Sequence, residues 1–313
     1  MRKSQIPQEA LDLIIKLLKE KDENEHSYAD IAKIVRTVNG YPATRQGVRS
    51  VYRRYILGTH QTRDKLDEVV KNNPKSFDMD AVSSWRDNVP VEVDGNYMVS
   101  GDKHLPFTVA GYLPFLVEVA AEYDIVAHFD IGDFTDQLAL SFFDKPYEAE
   151  SAYSEFTRAW AMAESYYQAF PDTYMCAGNH DVRYLRQAVK VGLPEPFVRT
   201  LEEIMDMPPT WSVNNSYIVN GDTLIEHGTS AGKKATYTRA MMIGMNVIQG
   251  HTHNYGGVEY INDGFKQRWA LNVGCGIDYN SYAARYARNF PHKPTLGCGV
   301  VVDGIPMFIP FRG

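Results

Sequence analysis

Apolar positions at helical spacing open the chain. In residues 8–20, Ala10, Leu11, Ile14, Ile15, Leu17 and Leu18 recur at the i, i+3, i+4 intervals of an amphipathic helix. Ser27 with Asp30 three residues later makes a capping box ahead of a second apolar face, Ile31, Ala32, Ile34 and Val35, which Asn39-Gly40 closes. After Tyr41-Pro42, Thr44 caps a third helix in which Val48, Val51, Tyr52 and Tyr55 are expected to face inward. Residues 1–60 therefore read as a small all-α domain. Residues 61–94, which include KNNPKSFDMD, read as a partly helical linker.

From Asn96 the rhythm changes to short apolar runs alternating with longer amphipathic stretches, the pattern of an α/β domain over residues 95–313. The expected strands are Tyr97–Ser100, Ile125–Ile131, Tyr174–Ala177, Ser216–Val219, Thr223–Ile225, Asn246–Gln249, Trp269–Val273 and Val300–Val302. Helices are expected over Val109–Glu122, Glu148–Phe170, Val182–Val191 and Glu195–Met205. Turns at Val219-Asn220-Gly221, Asn262-Asp263-Gly264 and Val302-Asp303-Gly304 point to antiparallel hairpins.

Composition narrows the class. The chain has 313 residues, 44% of them hydrophobic and 23% charged, which excludes collagen-like, coiled-coil and disordered readings. Three cysteines without a CxxC pair suit a reducing cytoplasm. No secretory h-region and no run of eighteen apolar residues is visible, so a soluble, cytoplasmic protein is expected. The net charge of −7 argues at first against a polyanionic partner. It is unevenly distributed: residues 1–65 carry 13 basic against 8 acidic residues, and the remainder 19 against 31.

That basic excess has a pattern. Arg45, Arg49 and Arg53 lie four apart on the expected third helix and form a basic ridge. Three short helices, a Gly-containing turn and a basic third helix resemble the DNA-binding helix-turn-helix domains. The resemblance implies DNA contact through residues 1–65. A protein-docking module is the alternative.

The chemistry sits where the expected strands end, the edge at which α/β sheets place ligands. Gly101-Asp102-Lys103-His104, Gly132-Asp133-Phe134-Thr135-Asp136, Gly178-Asn179-His180-Asp181, Glu226-His227-Gly228 and Gly250-His251-Thr252-His253 follow in order. Each sets Asp, Asn or His beside a glycine. Two divalent cations can share one carboxylate, and imidazoles with hard oxygen ligands suit manganese, iron or zinc. Asp133 is the natural bridge, with Asp102, His104 and His253 on one ion and Asn179, His227 and His251 on the other. A water bridging both ions is acidified towards hydroxide and can attack phosphorus in line. His180 then stabilises charge or protonates the leaving group, with Asp136 as the carboxylate that orients it. Asp181 is left to support the loop.

The ordered blocks GDKH, GDFTD, GNHD, EHG and GHTH resemble the calcineurin-like metallophosphoesterase superfamily over roughly residues 96–310. The resemblance implies a two-sheet β-sandwich flanked by helices, two metals (manganese first, with iron, zinc or nickel as alternatives), the ligand assignment above, and His180 as the catalytic histidine. Singly, each Asp or His is a turn or core residue. Five glycine-flanked blocks in order are not explained that way. Leu105, Gln137 and Asp181 depart from the GDxHG, GDxVDRG and GNHE spellings of phosphoprotein phosphatases, which disfavours protein phosphatase activity. GNHD and GHTH look more like double-strand-break repair nucleases and small phosphodiesterases. The expectation is a phosphodiesterase or nuclease acting on DNA. Alternatives are a phosphomonoesterase or small-molecule phosphodiesterase with a docking head, and a DNA-binding regulator with a vestigial hydrolase domain.

Overall fold

The computed structural model describes residues 6–20, 26–56, 85–141, 145, 147–194, 197–230, 232–262, 264, 266–287 and 293–312. The chain divides into two units, Met1–Phe77 and Asp78–Gly313.

In the first unit, α1 (Gln8–Lys19), α2 (Tyr28–Asn39) and α3 (Arg45–Val51) enclose a core of Ala10, Ile14, Leu18, Ile31, Ala32, Val35, Val48 and Val51. Their ends follow the sequence. Ser27 and Asp30 form the capping box, Gly40 closes α2 with φ of 72°, and Thr44 Oγ1 accepts from Gly47 N at 3.0 Å. Two expectations fail here. Tyr55 is 48% exposed, because a π-helical turn over Tyr52–Ile56 follows α3 and rotates the later side chains out of α-helical register. Arg49 is only 7% exposed and Arg45 half-buried, so the two do not stand on an open basic ridge: the packing of three short helices covers Arg49. The side chain of Arg53 lies outside the described residues, as does the expected linker over 61–84.

The second unit contains two six-stranded sheets. Its strands are β1 (Val89–Val91), β2 (Asn96–Ser100), β3 (Ile125–Asp130), β4 (Thr173–Cys176), β5 (Trp211–Asn214), β6 (Ser216–Val219), β7 (Thr223–Glu226), β8 (Asn246–Gln249), β9 (Gly256–Asn262), β10 (Gln267–Val273), β11 (Gly297–Val302) and β12 (Ile305–Pro310). One sheet runs β1-β6-β7-β8-β10-β9 and the other β12-β11-β2-β3-β4-β5. The expected linker therefore ends earlier than residue 94: Val89–Val91 pairs in parallel with β6. The three expected hairpins form, β6 with β7, β9 with β10 and β11 with β12.

Alternation along the strands builds the layers. Tyr97, Val99, Phe129, Ile131 and Cys176 face Tyr217, Ile225, Ile248, Leu271 and Val273 between the sheets. Their neighbours Met98, Met175 and Val300 point the other way, against α4 (Tyr112–Glu122) and α5 (Ala152–Ala169) through Leu116, Val119, Ala159 and Ala163. Each fully buried Leu, Ile or Phe contributes about 1.5–3 kcal/mol. On the opposite sheet α8 (Ala235–Ile243), absent from the sequence reading, covers Leu224, Val247 and Ala270. Between α5 and α8 lie α6 (Arg183–Lys190) and α7 (Leu201–Ile204), the latter much shorter than the helix expected over 195–205. This is the two-sheet sandwich flanked by helices that the resemblance implies.

Strands β2, β3 and β4 are mutually parallel, as are β7, β8 and β10. The five motif blocks therefore follow strands whose carboxyl ends share an edge within each sheet.

Candidate metal centre

Close backbone packing brings the motif loops together. A Cβ on Gly178 would lie 2.1 Å from the amide nitrogen of Asp133, and one on Gly250 would lie 2.1 Å from Asp102 Oδ2. Only glycine fits at either position. Asp181 ties the same loops from below. Its carboxylate accepts from Gly178 N at 3.0 Å, Thr135 N at 2.9 Å and Thr135 Oγ1 at 3.0 Å. Burial, reinforced by Asp133, pushes its pKa up to about 7.

Backbone strain concentrates in these loops. Asp102, His104, Asp133, His251 and His253 all take left-handed conformations, with φ between 47° and 64°. Such conformations cost on the order of 1–3 kcal/mol each and persist where surrounding contacts over-determine them.

Two donor groups meet at Asp133. Asp102, His104, Asp133 and His253 offer ligand atoms within 4.8 Å of one another, and Asp133, His227 and His251 do likewise. In the first group His104 Nδ1 lies 2.7 Å from Asp136 Oδ1, which leaves Nε2 facing His253 Nε2 at 3.1 Å and Asp133 Oδ2 at 3.9 Å. His253 Nε2 is 2.9 Å from Asp102 Oδ1. In the second group His227 Nδ1 faces the carbonyl of Ile131 at 2.9 Å and donates to it, which leaves Nε2 turned towards the other donors. Nε2 lies 3.0 Å from Asn179 Oδ1, 3.1 Å from His251 Nδ1 and 3.3 Å from Asp133 Oδ2.

Imidazole nitrogens and carboxylate oxygens packed this closely need either protons or a cation among them. Electrostatics point the same way. Burial opposes charge on His227, yet Asp133 and Asp102 outweigh it and raise its pKa to about 10. A field that holds a proton there attracts a divalent cation to the same point. Asp133 is held well below the usual carboxylate range: burial works against this, and His227, His180 and His104 overcome it. The residues fit two divalent ions, with Asp133 reaching both.

His180 sits beside these two donor groups. Its backbone N–H donates to Asp133 Oδ1 at 2.7 Å, and its Nδ1 lies 3.1 Å from both the carbonyl and Oδ1 of Asp136. Burial would lower its pKa, but Asp133 and Asp136 raise it. Asp136 thus touches two imidazoles, where the sequence reading gave it one.

A cleft of about 580 Å³ opens next to Asn179 and His227, lined by Trp85, Asn215, Ser216, Arg186 and Met242 among others. At its edge Arg239 grips Glu226 through Nε and Nη2 at 2.8 and 3.0 Å. Glu226 also accepts from Gln249 Nε2 at 2.6 Å.

Sequence reasoning missed a buried polar chain beneath the site. Lys103, fully buried, pairs with Asp130 at 2.5 Å and donates to Ser100 Oγ at 2.9 Å. Ser100 Oγ meets His128 Nε2 at 2.8 Å, and His128 Nδ1 meets Thr173 Oγ1 at 3.0 Å. Every member is satisfied with His128 neutral. The signal was available: polar His128 and Asp130 alternate with apolar neighbours in an otherwise hydrophobic strand.

The cysteines take no part. Cys176, Cys275 and Cys298 are buried and free, and burial pushes Cys298 up to about 12. No helix among the described residues is long and apolar enough to cross a membrane.

No protein-family model and no curated protein sequence matches the chain. Solved structures similar to it include Vps29 from Chaetomium thermophilum, at 11% identity and TM-score 0.36, covering 66% of this chain and 84% of that one. A serine/threonine phosphatase from Saccharomyces cerevisiae is 10% identical with TM-score 0.35, over 85% and 97% of the two chains. The E. coli phosphoesterase Yfce is 12% identical with TM-score 0.39, over 69% and 92%.

Proposed function

We propose that this chain is a two-metal phosphoester hydrolase of the calcineurin-like kind, and that its preferred substrates are phosphodiesters, DNA among them. The observation that carries the hydrolase reading is Asp133 Oδ2, which lies 3.3 Å from His227 Nε2 and 3.9 Å from His104 Nε2. One carboxylate joins two sets of donors. Asp102, His104 and His253 would hold one ion, and Asn179, His227 and His251 the other, with manganese favoured and iron, zinc or nickel as alternatives. Bound there, such ions supply an acidified water as nucleophile and neutralise the phosphate's charge.

The chain's own residues supply the rest. His180 keeps its Nδ1 proton on Asp136, so Nε2 is the atom that exchanges a proton with the leaving oxygen. Asp136 fixes the ring planes of His104 and His180 together. The adjoining cleft offers room for the second substituent of a diester.

DNA as substrate is supported by the basic excess of residues 1–65 and by the three-helix core that presents Arg45. The burial of Arg49 favours the second reading, hydrolysis of small phosphate esters with the head as a docking module. Incubation of the full chain with labelled single- and double-stranded DNA and Mn²⁺ separates them. The proposal expects cleavage. Intact DNA alongside turnover of p-nitrophenyl esters would leave the small-ester reading in its place.

A further inference from the structure

We infer that Arg183 is a catalytic residue: its guanidinium binds an oxygen of the phosphoryl group that undergoes hydrolysis. This rests on the hydrolase reading of the same site and adds a cation that the metal ligands and His180 do not provide.

Arg183 opens α6 one turn after the GNHD loop, and its amide donates to the His180 carbonyl at 3.0 Å. Its side chain, 13% exposed, folds back towards the imidazoles. Nη1 donates to the carbonyl of Asp136 at 2.9 Å, and Nη2 to His180 Nε2 at 2.9 Å. The second contact identifies the site's geometry. His180 Nδ1 faces two oxygens of Asp136, so in the neutral ring Nε2 is the acceptor, and Arg183 occupies the place that the leaving oxygen must reach once Nε2 has taken up the proton it delivers.

Arg183 is also poorly committed to its neighbours. Nη1 stands 3.7 Å from Asp136 Oδ2, beyond hydrogen-bond reach, and that oxygen has no hydrogen-bond partner among the described residues. Among the described residues, two of the five N–H groups of this guanidinium are used. Lys103 and Arg239, by contrast, are bound up in carboxylates, Lys103 with Asp130 and Arg239 with Glu226 through two bonds, while Arg186 lines the adjoining cleft. A phosphoryl oxygen carries the negative charge that a neutral imidazole lacks, and its geometry matches the planar fork of the guanidinium, so it is the better partner for Nη2. It displaces His180 from Nη2. Nη1 stays on the Asp136 carbonyl, so the same movement frees His180 Nε2 and fixes the phosphate beside it.

The test uses the full chain loaded with Mn²⁺, its Arg183→Gln and Arg183→Lys variants, and orthophosphate as probe. Calorimetric titration gives the orthophosphate Kd, mass spectrometry the metal content, and bis-p-nitrophenyl phosphate the KM and kcat. Arg183→Gln should weaken orthophosphate binding by about tenfold or more and raise KM, with metal content unchanged. Arg183→Lys, a cation without the planar fork, should recover part of that loss. An orthophosphate Kd within twofold of wild type in Arg183→Gln, with kcat alone reduced, would make Arg183 a positioning residue for His180 and overturn the inference. Failure of the hydrolase reading is seen separately, as a wild-type chain that neither turns over the ester nor binds orthophosphate.

Discussion

The carboxylate of Asp136 lies 2.7 Å from Nδ1 of His104, closer than the 3.1 Å that separates it from Nδ1 of His180. One buried acid therefore orients two imidazoles, the one proposed to face a metal ion and the one proposed to handle the leaving group. The two histidines and Asp136 form a compact triad, with His104 and His180 rings perpendicular at 4.5 Å between centroids. In the proposed mechanism this one side chain couples the metal-ligand histidine to His180.

Asp136→Ala should affect both. Removing the partner of a metal-bound histidine lowers metal affinity by about 10- to 100-fold, and turnover should fall further because His180 loses its anchor. Mn²⁺ titration by calorimetry checks the first effect. Unchanged affinity would confine Asp136 to His180.

His180→Ala should separate the two functions. The variant is expected to keep its metal content while turnover drops by about 10²- to 10⁴-fold, the range for a group that moves a proton in the transition state. Metal analysis and steady-state kinetics on one sample decide it. Turnover at the wild-type rate would remove the role assigned to this side chain.

Asp133→Ala removes the one carboxylate common to both donor sets. Metal analysis should find at most one tightly bound ion per chain. Two retained ions would contradict the sharing inferred from the 3.3 and 3.9 Å approaches.

His128 should make stability fall in mild acid. Burial, with Lys103 adding repulsion, holds its pKa well below the ordinary 6.5, so the native state keeps it neutral while the unfolded chain protonates it. The unfolded state then binds more protons below about pH 6.5, and stability is lost as pH falls, by at most about 1.4 kcal/mol per pH unit. Chemical denaturation from pH 7.5 to 5 measures it. His128→Gln, although less stable throughout, should show a flatter slope, and an identical slope would locate the lost proton elsewhere.

Much of this site is legible in sequence because its geometry is local. A glycine beside Asp, Asn or His at a strand end specifies both a tight turn and a ligand, and Asp133, Asn179 and His251 are found where that grammar puts them. The carboxylate of Asp136 is different. Its closest partner, His104, is 32 positions away, and only the parallel pairing of β2 with β3 brings them together. Lys103 sits inside the GDKH block with no role visible from its neighbours, because its partner Asp130 is hidden in an apolar strand. Strands β1, β5, β9 and β12 went unread for a related reason. Gly256–Asn262 mixes glycine, Glu259 and Asn262 into its run, and Ile305–Pro310, apolar throughout, carries two prolines that argue against a strand anywhere but at a sheet edge. Arg49 shows the converse: i, i+4 spacing defines a ridge, but the packing of three short helices decides whether that ridge meets solvent.

The central claim is metal-dependent phosphoester hydrolysis at the Asp133 centre, and bis-p-nitrophenyl phosphate turnover tests it most directly, measured on the full chain with Mn²⁺, after exhaustive chelation, and after Mn²⁺ is restored. The account predicts turnover that chelation abolishes and Mn²⁺ brings back, with Asp133→Ala inert throughout. Turnover that survives chelation, or a wild-type chain that binds two ions and hydrolyses neither this diester nor p-nitrophenyl phosphate, would contradict it.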